Sequence, residues 1–97
     1  MLQQAIKEYN KVQRANGDYD NILEVAQERG AMPNPCTIKD LVEDMQDNLR
    51  YNYSDPTWRE LERETEEGKK EIANEVRRIK NFIKKWEKSP NKRRITL

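Results

Sequence analysis

The sequence predicts an all-α fold: a small bundle of three short helices and one long C-terminal helix with a coiled-coil-like heptad seam. Three observations lead there. Apolar residues recur at steps of three and four through most of the chain. Capping residues, glycines and prolines divide that pattern into four runs. Between Pro56 and Pro90 no proline interrupts the last run.

The first run, residues 2–16, places Leu2, Ala5, Ile6, Tyr9 and Val12 on one face, and Gly17 follows where a left-handed residue closes a helix. Asp18 then caps a second helix over 18–29, with Tyr19, Ile22, Leu23, Val25 and Ala26 apolar and Gly30 as its stop. Pro33 and Pro35 hold the next connector extended, because each disfavours helical angles in the residue before it. Thr37 opens a third helix over 37–50. Its Thr-x-x-Asp capping pattern precedes Ile38, Leu41, Val42, Met45 and Leu49 on a common face. Asp55-Pro56 is a cap followed by proline at the first helical position, where a missing N–H costs nothing. The fourth helix is therefore expected over 56–88, about 50 Å long at 1.5 Å per residue. Residues 1–88 form one domain in this reading, and 89–97 a flexible basic tail.

Along the fourth helix the seam is Trp58, Leu61, Thr65, Gly68, Ile72, Glu75, Ile79, Phe82 and Trp86. Thr65, Gly68 and Glu75 are poor core residues, and a glycine in a helix interior costs about 1 kcal/mol relative to alanine. An antiparallel partner improves the match by setting Trp86 across from Leu61, Phe82 from Thr65 and Ile79 from Gly68. It also brings Glu64 and Glu71 near Lys85 and Arg78 of the other copy. Two readings stay open: a homodimer along this seam, or a seam covered by the first three helices of the same chain.

Composition narrows the function. In 97 residues, 38% are charged and Leu, Ile, Val and Phe supply only 18, so the core is thin. A net charge of +1 argues against disorder of the whole chain, which needs high net charge as well as low hydrophobicity. Charge is unevenly placed: residues 37–67 carry four basic against ten acidic side chains, and residues 68–97 eleven basic against three acidic. No histidine is present, which removes the commonest general base and metal ligand. The lone Cys36 has no activating histidine and cannot close a disulfide within the chain, so a reducing, cytoplasmic setting is expected. The early charges Lys7 and Glu8 fall where a signal peptide would be apolar, and no run is long enough to span a membrane. No Gly-rich phosphate loop is present, and no enzyme, cofactor or metal is expected.

Three surface constellations remain. Acidic residues Asp40, Asp44 and Asp47, with Glu60, Glu64, Glu67 and Glu71, repeat at helical spacing. Such paired acidic helices hold Mg²⁺ in all-helical nucleotide pyrophosphohydrolases, but here Arg59 and Arg63 are interleaved, so a solvated or partner-facing surface is expected. Basic residues Arg77, Arg78, Lys80, Lys84, Lys85 and Lys88 surround an apolar strip, with Lys92, Arg93 and Arg94 beyond it. That pattern suits an acidic protein surface or nucleic acid. Residues 19–50 have the two runs of a helix-turn-helix, but two prolines in the connector and four acids on the reading helix argue against it. The expected function is non-enzymatic protein binding by a small regulator, adaptor or inhibitor, a class that includes virus-encoded inhibitors of host complexes. Nucleic-acid binding through the basic end is the alternative.

Overall fold

The computed structural model describes residues 1–88, and among them every regular element is helical. In chain order these are α1 (Leu2–Ala15), a 3₁₀ turn (Tyr19–Asn21), α2 (Leu23–Glu28), α3 (Ile38–Asn48), a π-helical turn (Leu49–Tyr53), α4 (Glu60–Arg63) and α5 (Glu66–Trp86). No described helix is long and apolar enough to cross a membrane. The expected tail, with Lys92, Arg93 and Arg94, lies outside the described residues.

Local signals mark the C-terminal ends of α1 and α2 and the start of α3. Gly17 adopts φ +76°, the Asp18 amide donates to the Gln13 carbonyl (2.7 Å) and the Gly17 amide to that of Arg14 (3.0 Å), which closes α1 with a Schellman motif. Gly30 repeats the device on α2, with the Ala31 amide bonded to the Ala26 carbonyl at 2.8 Å. At α3 the capping box forms in full: Thr37 Oγ1 accepts from the Asp40 amide (3.2 Å) and Asp40 Oδ2 accepts from the Thr37 amide (2.8 Å). Ile38, Leu41, Val42 and Met45 are its buried residues.

Asp18 does not cap a helix over 18–29. Its carboxylate instead accepts from Asn21 Nδ2 at 2.5 Å across the 3₁₀ turn. Ile22 is extended, and the first amide of α2, on Leu23, donates to Asn10 Oδ1 of α1 at 2.9 Å. A cap supplied from thirteen residues upstream thus shortens the expected helix.

The expected helix over 56–88 does not form as one piece: it is interrupted before Glu66. Asp55 Oδ1 accepts from both the Thr57 amide (2.9 Å) and its hydroxyl (2.7 Å), which stabilises a turn. Arg59 then takes the left-handed conformation, φ 56° and ψ 42°. After the single turn of α4, Thr65 is extended and caps α5, its Oγ1 accepting from the Gly68 amide at 2.9 Å. Glycine is required at 68 by proximity: a methyl there would stand 1.8 Å from the Glu62 carbonyl oxygen. The residue that weakens a continuous helix is the one that lets two helices meet.

The seam divides accordingly. Trp58 is half-buried, its ring edge-on to Tyr53 at 4.6 Å; Leu61 is 80% exposed; Thr65 is an exposed cap. Ile72, Ile79, Phe82 and Trp86 are buried within their own chain. Ile79, Phe82 and Trp86 join Tyr9, Leu23, Ile38, Leu41 and Met45 in one core, where Phe82 meets the Tyr9 ring edge-on at 6.1 Å. The arrangement is the within-chain packing of α5 against α1 and α3. A dimer through Phe82 and Trp86 would require that core to open.

Candidate functional site

Two places in the fold concentrate charge, and they differ in whether that charge is already answered. The first surrounds Glu75, which is 1% exposed on α5. Arg59 Nη1 and Nη2 donate to its two carboxylate oxygens at 2.6 and 3.2 Å, and Tyr53 Oη donates to Oε1 at 2.7 Å. Arg59 also grips Glu62 through Nε (3.1 Å) and Nη2 (2.6 Å), and these carboxylates together hold its guanidinium more firmly protonated than usual. Burial and the neighbouring Glu75 carboxylate push the Tyr53 hydroxyl up. A cavity of about 340 Å³ opens beside this cluster, with Asn16, Asn48 and Asn52 on its walls. Because donors and acceptors meet one another, the cluster is a closed clamp on the 56–65 segment.

The second place is a groove of about 730 Å³ between α1 and α5. Val12, Ala15 and Phe82 supply apolar surface; Lys7 and Lys11 from α1, with Arg78 and Lys85 from α5, supply positive charge. Both groove cations of α5 are positioned by α1 or its C-cap. Arg78 Nη1 donates to Asn16 Oδ1 at 3.0 Å. Lys85 Nζ donates to Glu8 Oε2 at 2.6 Å and lies 5.2 Å from the Trp86 ring centre. Glu8 also accepts from Gln4 Nε2 (2.7 Å) and Trp86 Nε1 (3.0 Å). Burial alone would raise its pKa, but these hydrogen bonds, led by Lys85, hold it below the usual carboxylate range. Lys7 and Lys11 make no salt bridge among the described residues. The groove therefore offers cations beside an apolar floor, with one carboxylate already engaged.

The sequence-derived sets are redistributed by this geometry. Of the basic set, Arg78 and Lys85 line the groove, while Arg77, Lys80, Lys84 and Lys88 are exposed elsewhere on or just beyond α5. Lys7 and Lys11 were missed; their i, i+4 spacing beside Val12 and Ala15 was the available signal. The acids do not form one surface. Asp40 caps α3, Asp47 pairs with Arg50 at 3.3 Å, and Asp44 accepts from Tyr9 Oη at 2.7 Å. Glu60 and Glu64 sit at α4, Glu67 and Glu71 on α5, and among the described residues no group of acids is arranged to hold a metal ion. Burial, then Asp40, raises the Cys36 thiol pKa.

No family model matches the sequence, and no curated protein or solved structure gives a significant match.

Asp44 yields a pH prediction. Burial, assisted by Asp47 and Asp18, lifts its pKa despite the hydrogen bond from Tyr9. A carboxyl whose folded pKa is raised favours folding most in acid, and that contribution is lost as pH climbs from the ordinary aspartate range through the raised value. Asp44→Asn cannot titrate. Urea unfolding from pH 4 to 7 should therefore show wild-type stability falling relative to the variant as pH rises; a constant difference would contradict the assignment.

Proposed function

We propose that the protein acts without catalysis, as a regulator or inhibitor that binds another protein, with the α1–α5 groove receiving an acidic amphipathic helix. The observation that supports this is the pairing of an apolar floor with Lys7, Lys11, Arg78 and Lys85. A helix with leucines on one face and glutamates beside them satisfies both at once. Nucleic acid is the less favoured occupant, because in the adjoining depression Glu67 and Glu71 offset Lys70 and Arg78, so the positive surface does not extend along α5 as a phosphate backbone would need. The lone, buried Cys36 suits a reducing, cytoplasmic setting.

Fluorescence anisotropy with a labelled acidic amphipathic peptide tests the proposal. Binding should weaken about tenfold in Lys7→Glu/Lys11→Glu, corresponding to about 1.4 kcal/mol. Equal peptide binding by wild type and variant overturns the groove assignment. Tighter binding of single- or double-stranded nucleic acid than of the peptide, falling steeply with salt, would move the function to the nucleic-acid class.

A further inference from the structure

We propose that the α1–α5 groove is also occupied by a second copy of this chain, whose acidic end docks there in an antiparallel, two-fold dimer. The inference rests on the groove being the binding site and names one occupant for it. Glu67, Glu71, Asn74 and Arg78 line one shallow depression on α5, with Lys70 at its edge, and Arg78 and Lys85 line the groove. Glu67, Glu71, Asn74 and Arg78 follow at steps of three and four and Lys85 lies two turns further, so they form a single stripe along the helix, with its acids at the start and its cations at the end.

Such a stripe complements its own reverse. When two α5 helices run antiparallel, Glu67 and Glu71 of one copy face the Arg78–Lys85 end of the other. The same two-fold axis repeats the contact, so the assembly closes at two chains. Leu61 supplies an apolar contribution at the acidic end. It is 80% exposed, more than Met1, Tyr19 or Tyr51, and Glu60 and Glu64 flank it. Lys7 and Lys11 widen the basic end without being held by an acid among the described residues. None of these residues belongs to the Phe82–Trp86 core, so both chains stay folded on pairing.

Because the dimer closes the groove, self-association and partner binding compete. Sedimentation velocity on the full chain, from micromolar to submillimolar concentration, tests the proposal with two charge reversals. Lys7→Glu/Lys11→Glu makes the groove acidic, and Glu67→Lys/Glu71→Lys makes the acidic end basic. Wild type should dimerise, with a dissociation constant that rises with salt. Each variant alone should weaken the dimer by about tenfold or more, and an equimolar mixture should restore it as a heterodimer. A monomeric wild type, a salt-independent dimer, or variants that fail to pair when mixed overturns the proposal. The acidic-end variant should still bind the acidic peptide. A monomeric wild type that binds the peptide removes only the self-pairing, whereas loss of peptide binding removes the groove reading itself.

Discussion

Replacing Arg59 with methionine should destabilise the protein by about 3–5 kcal/mol, the cost of leaving a buried charge without its partner. Glu75 is 1% exposed, and Arg59 supplies both of its ionic contacts. For a small domain whose total stability is about 5–15 kcal/mol, that loss threatens folding. The double variant Arg59→Met/Glu75→Gln should recover a large part of it, because glutamine carries no charge and its carbonyl still accepts from Tyr53. Arg59→Gly should be milder than Arg59→Met by about 1 kcal/mol, since glycine relieves the left-handed backbone at φ 56° while losing the same ion pairs. Chemical denaturation of the three variants gives these differences directly. Equal stability of Arg59→Met and wild type would show that Glu75 does not depend on the clamp.

Gly68→Ala should also destabilise, by about 1–3 kcal/mol, which is the usual cost of forcing extra volume into a packed contact. Helix propensity alone gives the opposite sign, a gain of about 1 kcal/mol for alanine over glycine inside a helix. The structure decides between them. The new methyl would stand 1.8 Å from the Glu62 carbonyl oxygen and 2.8 Å from Thr65 Oγ1, so the α4–α5 junction has to open. For a domain of this size each kcal/mol moves the melting temperature by about 4–8 °C, so a thermal scan resolves the sign. A higher melting temperature for the variant would mean that residues 62–68 form continuous helix after all.

These two positions also mark where sequence reading reached its limit. Gly17, Gly30, the Thr37–Asp40 capping box and the buried face of α3 were legible because each depends on neighbours within a few residues. The break before α5 was not. Arg59 is held by Glu75, sixteen residues later, and Gly68 read as a flaw because its reason lies in an approach between two helices. Heptad spacing runs through Trp58, Leu61 and Thr65 whether or not the backbone is helical there, so spacing alone extended the helix too far. The Asn10 cap on Leu23 lies thirteen residues from its target and likewise leaves no local trace.

The candidate site was half legible. Arg78 and Lys85 stood out in a run of basic residues, as did their match to Glu64 and Glu71 when one copy is reversed. Lys7 and Lys11 did not, because α1 was read for its apolar face and its cations acquire meaning only once α5 lies alongside. Asp40 and Asp44 looked like surface acids, yet one closes a capping box and the other takes the Tyr9 hydroxyl. Burial and hydrogen bonding, which spacing does not encode, separate acids that hold the fold from those that remain available.

The groove between α1 and α5 is the proposed binding surface. Nuclear magnetic resonance titration of the isotope-labelled full chain with the acidic amphipathic peptide addresses it most directly. Amide shifts should concentrate at Lys7, Lys11, Val12 and Ala15 and along Arg78–Lys85, while α2 and α3 stay unmoved. Shifts centred on α3, or confined to residues 89–97 with the groove unchanged, would contradict it.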